Sequence, residues 1–375
     1  FDKSEGSARN LWGETMISPV AHIASLSPYA LAQLNAPAGK RLISLSQNES
    51  LRLPNPLAIE AGAKALTAGH LYPDPDWGEL REALSGLHGI PAKGLLCGNG
   101  SMELIASLAQ AFTDEQNAVL APAHAYPFFR SAAQMVRARY DVAPENDGRV
   151  SVDALLAAVR PDTRIVFVAN PGNPTGTRIP RAELLRLRKG LPGDTLLVID
   201  EAYGEFADHL NEPMFDLAGR GDTVVLRTFS KAYGLAGMRV GWGLFPAEIA
   251  GEIRKVMNPN NISVAGQAAA AAALKDQAYM VETCRETASL RDGLRKRLRQ
   301  AGYDVPESFT NFVLIRMGSP DKAHRADKAL RAEGVFLRPQ GGAGLADCLR
   351  ATIGVAEDVD IAAGVLERWA EGEKT

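Results

Sequence analysis

Between Leu95 and Ser230 short apolar runs alternate with helical patterns, and this alternation restricts the fold more than any other feature of the chain. LLCG precedes MELIASLAQAF, NAVLAP precedes YPFFRSAAQMV, and SVDALLAAV precedes TRIVFVAN. AELLRLRKGL then leads to TLLVID, and TVVLRTFS runs into a glycine-rich turn. The runs are uniformly apolar rather than alternating, so both faces of each strand must be covered. Strand–helix repeats of this kind predict an α/β fold, a mostly parallel sheet sandwiched by helices. Ligands of such sheets collect at the carboxyl ends of the strands.

The pattern changes on both flanks. Residues 1–44, interrupted by Pro19, Pro28 and Pro37, read as an N-terminal arm. Residues 45–265 form the expected large domain, and 266–375 a smaller α+β domain packing with part of the arm. One long helix is predicted over about 263–301. Beyond Pro306 the strands NFVLIRM, GVFLRP and CLRATIG are interleaved with helices HRADKALRAEG and DIAAGVLERWAEG. At 375 residues the chain exceeds the size one core usually supports, which agrees with two domains.

Charge and cysteine usage exclude several functions. With 41 basic and 44 acidic residues the net charge is −3, which gives no footprint for nucleic acid and no polybasic membrane patch. The run Ala268–Leu274 is far shorter than the roughly 20 residues of a membrane span, so no membrane partner is expected. No charged-then-apolar leader precedes the arm, and Phe1 is not a start methionine. Cys97, Cys284 and Cys348 are isolated, which suits a reducing cytoplasm and argues against disulfides or zinc. The six histidines make no HxxxH or HExxH pair, so no metal site is expected.

The chemistry sits where strands stop. TRIVFVAN ends in PGNPTG, which projects Asn170 and Asn173 beyond the sheet. TLLVID ends in Asp200, followed by Glu201, Ala202 and Tyr203; an acid there needs a cation. TVVLRTFS delivers Thr228, Ser230 and then Lys231. LLCGNGS brings Gly98, Gly100 and Ser101 to a helix starting near Met102, where free amides favour an anion. Arg239 adds a permanent cation near the Thr228 and Ser230 hydroxyls. A dinucleotide explains this set badly: GNGSME is not GxGxxG, and nothing in such a site needs a lysine. Pyridoxal 5'-phosphate explains every member. Its phosphate suits the cradle, its aldehyde suits Lys231, and its ring nitrogen suits Asp200. Asn173 and Tyr203 can bond the ring hydroxyl, and Tyr126 can stack on the ring.

NPGNPTG, VIDEAY and TFSKAYGLAGMRVGW, in this order, resemble the fold-type-I pyridoxal-phosphate aminotransferases, and most of all the histidinol-phosphate aminotransferase group. The likeness runs from about Gln47 to Leu366. It implies that Lys231 carries the cofactor and that Asp200, Tyr203 and Asn173 hold the ring. The phosphate contacts it implies are Ser101 with the neighbouring Gly100 and Met102 amides, Thr228, Ser230 and Arg239. The family's LYPDP motif is Leu71–Pro75, and its tyrosine serves the neighbouring subunit's cofactor; Tyr72 therefore implies a homodimer with shared active sites. Arg350, in LRATIG, matches the arginine that grips a substrate carboxylate, and Arg338 the one that meets a substrate phosphate.

Three departures fall where the family binds the substrate side chain. The group's NENPxGPSP stands here as QNESLRLPNP, retaining Asn48 and Glu49. Its PYxPGK entry is stretched to SPYALAQLNAPAGK around Tyr29, and its GGYGL is GGAGL with Ala343. Asn48 and Tyr29 remain candidate substrate contacts. The expected activity is transfer of an amino group from histidinol phosphate, or a related or aromatic amine donor, to a 2-oxo acid such as 2-oxoglutarate. A same-fold lyase or decarboxylase would share the cofactor residues. A non-catalytic cofactor sensor would need a basic DNA-reading domain, for which the arm is too short.

Overall fold

A computed structural model of the chain describes residues 17–26, 28, 35–210 and 212–373. The strands within them are β1 (Ile43–Ser44), β2 (Leu95–Asn99), β3 (Ala118–Pro122), β4 (Arg139–Ala143), β5 (Thr163–Ala169) and β6 (Leu196–Asp200). They continue with β7 (Thr223–Thr228), β8 (Val240–Leu244), β9 (Phe312–Arg316), β10 (Val335–Phe336), β11 (Arg338–Gln340) and β12 (Leu345–Thr352). Seven of them form one sheet in the order β2-β8-β7-β6-β5-β3-β4. Only β8 runs against its neighbours; β7, β6, β5, β3 and β4 pair in parallel. The fold is therefore α/β with a mixed sheet between helices, as the apolar runs predict.

β3, β6 and β7 are buried along their whole length, which is why their sequences show no alternation. Because β2 and β7 are both antiparallel to β8, the carboxyl ends of β2, β3, β5, β6 and β7 open on the same edge. A second cluster of buried apolar residues joins Leu294, Leu298, Val313, Ile315, Leu349 and Ile353 with Ile43 and Leu45 from near the arm. In it β9, β12 and β11 form an antiparallel sheet, and β1 pairs in parallel with β10. Helices Pro320–Ala332 and Ala356–Gly372 pack on this unit.

The single helix expected over 263–301 is two helices, Val264–Ala273 and Gln277–Gln300. Asp276 breaks it: its carboxylate accepts the Tyr279 amide at 3.1 Å and the Asn55 side chain at 2.9 Å, which caps the second helix. The alanines of the first helix let it lie close on helix Pro56–Ala65, where a methyl at Gly62 would touch Ala269 at 3.4 Å. Among the described residues no helix is long and apolar enough to cross a membrane.

Candidate active site

The converging strand ends enclose a cavity of about 850 Å³. At its base β2 passes through Gly100 into helix Ser101–Phe112. Gly100 has φ 74°, and a Cβ there would collide with the Arg239 guanidinium. Gly241 on β8 is equally constrained, since a Cβ would strike the Ser101 backbone nitrogen. Two glycines thus press the helix N-terminus against β8 and Arg239. Ser101, Met102, Thr228, Ser230 and Arg239 all line the cavity. Arg239 Nη1 donates to Ser230 Oγ at 3.4 Å, and Thr228 Oγ1 donates to the same oxygen at 3.1 Å. Helix amides, two hydroxyls and a guanidinium make a site for a phosphate-like anion.

Lys231 follows directly. Its Nζ donates to Asn48 O at 3.1 Å and Gln47 O at 3.4 Å, and stands 5.9 Å from the Tyr203 ring centre. Burial pulls its pKa down to about 8, aided by the Arg350 and Arg239 charges and opposed by Glu49 and Asp200. Asp200, the buried last residue of β6, accepts the Ala202 amide at 3.0 Å. Burial lifts it to about 6, with Glu201 adding to the rise and the Ala202 amide and Lys231 resisting it. A cation set against this carboxyl would return it to the charged form. A pyridine nitrogen carrying a proton is such a cation, so acid, lysine and cradle together fit pyridoxal phosphate.

The remaining predicted residues form one network. Tyr203 Oη accepts from Asn48 Nδ2 at 2.7 Å, and its ring meets Phe312 edge-on at 5.3 Å. Asn173 Oδ1 accepts from Arg350 Nη1 at 2.7 Å, while Arg350 Nη2 donates to Ser46 O at 2.7 Å. Arg338 stands opposite Arg350 in the β11–β12 register and lines the same cavity. Asn48 is buried with φ 56°, a conformation asparagine tolerates better than most residues. It ties Thr352 to Tyr203 and Lys231, a supporting position that the sequence does not reveal. Tyr126 lines the cavity with its ring edge-on to Phe129. Ala343 is buried in the wall, its carbonyl accepting from His124 Nδ1 at 2.8 Å.

Two predicted residues stand apart. Tyr72 is 88% exposed and does not line this cavity. Tyr29 lies outside the described residues.

Sequence reasoning misses two groups. Arg130, Ser131 and Gln134 line the cavity from helix Pro127–Met135, and their helical spacing was the available signal. Behind Asp200, buried Arg227 meets Glu201 at 2.9 Å, Asp208 at 2.9 and 2.8 Å, and Glu205 at 3.6 Å. A lone arginine inside TVVLRTFS signals that such acids must exist. Burial raises Glu201 and Glu205 while Arg227 holds them down.

The family model for aminotransferase class I and II matches residues 40–366. A histidinol-phosphate aminotransferase from Paramagnetospirillum magneticum is 39% identical over 360 residues, covering 95% of this chain and 99% of that protein. One from Rhodospirillum centenum is 39% identical over 359 residues, covering 94% and 99%. Among solved structures, histidinol-phosphate aminotransferase from Sinorhizobium meliloti in complex with pyridoxal-5'-phosphate superimposes with a TM-score of 0.89 at 29% identity, covering 96% of this chain and 99% of that one. A Thermus thermophilus aspartate aminotransferase shares the fold with a TM-score of 0.80 at 21% identity, covering 94% and 100%. The chain belongs to the class I and II aminotransferases.

Proposed function

We propose that this pyridoxal-phosphate-dependent aminotransferase takes its amino group from histidinol phosphate or a related donor and passes it to a 2-oxo acid, 2-oxoglutarate first. The observation that carries this reading is the meeting of Lys231, Asp200, Tyr203 and Asn173 with a phosphate cradle in one cavity. When bound, the cofactor supplies an aldehyde that captures the amine and a ring that stores the electron pair. The chain supplies the rest. Ser101, Thr228, Ser230 and Arg239 anchor the phosphate, and Asp200 keeps the ring nitrogen protonated. Tyr203 and Asn173 orient the ring hydroxyl. Lys231, held near pKa 8, carries the proton on and off the substrate carbon that bears nitrogen.

The substrate contacts divide by chemistry. Histidinol phosphate has no carboxylate but carries its phosphate ester on the carbon beside the amine-bearing one. Arg350 and its register partner Arg338 therefore clamp that phosphate in one half-reaction, and Arg350 takes the 2-oxo acid's carboxylate in the other. The small Ala343 in the wall leaves room for aromatic amino acids as secondary donors. A donor screen that follows cofactor absorbance with histidinol phosphate, phenylalanine, tyrosine and aspartate should give histidinol phosphate the highest kcat/KM. If aspartate or an aromatic donor leads instead, the choice of donor is wrong while the aminotransferase stands.

We further read the enzyme as a cytoplasmic homodimer. Its free cysteines suit the reducing compartment. Leu53, Leu66, Leu71 and Tyr72 are exposed within one stretch of chain, as a subunit contact would require. Tyr72 then completes the partner's phosphate site. Mixing a Lys231→Ala subunit with a Tyr72→Ala subunit should restore part of the activity, since one hybrid site regains both groups. No recovery after verified subunit exchange would remove the shared site.

A further inference from the structure

Every polar atom of Asn48 is engaged. Its amide donates to Thr352 Oγ1 at 2.9 Å, its Oδ1 accepts from the same hydroxyl at 3.1 Å, and its Nδ2 donates to Tyr203 Oη at 2.7 Å. Its carbonyl takes two donors at 3.1 Å each: Lys231 Nζ, which lines the cavity, and Asn311 Nδ2, which does not. A carbonyl oxygen has two lone pairs, so both bonds are made at once.

Asn311 stands just before β9 and is 1% exposed. Its amide nitrogen also donates to Glu49 O at 3.0 Å, so its two N–H groups hold consecutive carbonyls of the segment that meets Lys231. Its backbone carbonyl is fixed in turn by the Ile353 amide at 2.8 Å. Its side-chain oxygen has no hydrogen-bond partner among the described residues. A buried amide left half unpaired is a cost that an apolar side chain would avoid, so the NH₂ group is the half this position uses. The backbone it holds is itself unusual. With φ 56° Asn48 lies in the left-handed region, and it is fixed at both ends, at its nitrogen by Thr352 and at its oxygen by Asn311.

We propose that Asn311 is a positioning residue for the transfer reaction: by fixing the Asn48 carbonyl it sets the resting place of the Lys231 amine. It acts from behind the cavity wall, through Asn48 alone. In each half-reaction Lys231 has to leave the cofactor and return to it, and an amine held on a fixed acceptor begins every return from the same geometry. The inference rests on Lys231 being the reacting amine. The charges that face this amine are Arg350, Arg239, Glu49 and Asp200, and a change at Asn311 replaces none of them.

Two measurements on the full chain test it. Cofactor-free protein mixed with pyridoxal phosphate gains the visible band of lysine-linked cofactor at a rate that rises with the unprotonated fraction of Lys231. In Asn311→Ala the midpoint of that rise should move to lower pH, because the ammonium loses a placed acceptor that favours its charged form. Asn311→Ser, a smaller change that keeps one hydroxyl donor, should move it less. In the holoenzyme both half-reactions of Asn311→Ala should slow by the same factor, roughly three- to ten-fold, with KM for the donor and the 2-oxo acid little changed. A residue that only props the fold would lower cofactor retention and leave the midpoint in place. An unchanged midpoint in whichever variant folds, or a loss confined to one half-reaction, overturns the proposal. If Lys231→Ala gains the same band, the reading of Lys231 as the reacting amine falls instead.

Discussion

Lys231→Ala should retain cofactor yet lose nearly all turnover. Retention follows because the anion site is built without the lysine: helix amides at Ser101, the Thr228 and Ser230 hydroxyls and Arg239 stay in place. Loss follows because no other amine occupies that position among the described residues lining the cavity. Proton transfer by a positioned group alone contributes about 10²–10⁴-fold to rate, and the covalent link to the cofactor goes as well. The measurement is a spectrum and a single half-reaction. The visible band of lysine-linked cofactor should vanish while phosphate-anchored cofactor still co-purifies. A variant with a normal half-reaction would mean that the reacting amine lies elsewhere.

Arg227→Ala should produce the largest loss of stability of any single substitution near the site. Arg227 is 2% exposed, and Glu201 and Glu205 beside it are 5% and 7% exposed. Removing the cation leaves two buried carboxyls and Asp208 facing one another, a change that typically costs about 3–5 kcal/mol. It also frees the segment from Glu201 to Asp208, which carries Tyr203. Urea unfolding should show the deficit, and adding Glu201→Gln and Glu205→Gln to the same chain should restore part of it. A loss below about 1 kcal/mol would show that the cluster relaxes to water and does not hold the segment.

Much of the fold is legible in the sequence because the large sheet is buried on both faces. Each strand therefore announces itself as a short apolar run and stops where a polar residue begins, as at Asp200 and Thr228. Those stops also line the cavity, so Asn173, Asp200, Tyr203 and Lys231 can be read together. The break at Asp276 is not legible, because its cap depends on Asn55, 221 residues away. Arg227 announces that it needs acids but not which ones, since the turn through Glu205 and Asp208 supplies them only after folding. The Arg130 face is visible as a period, yet only the tertiary structure decides that it meets a cavity and not solvent. The role proposed for Tyr72 depends on a second subunit, and the single folded chain shows only an exposed side chain there.

Asn48 has a consequence for the order in which the enzyme comes into being. Its amide and side chain bond Thr352, 304 residues later in the chain, and Arg350 reaches back to Ser46 across the same span. All seven strands of the large sheet lie between Leu95 and Leu244. A nascent chain can therefore complete that sheet, with Lys231 and Asp200 at its edge, long before the ribosome has made the residues that close the pocket. During synthesis Lys231 exists first without Thr352 to fix Asn48 and without Arg350 to orient Asn173. The pocket is thus left open until the chain has been made through Thr352.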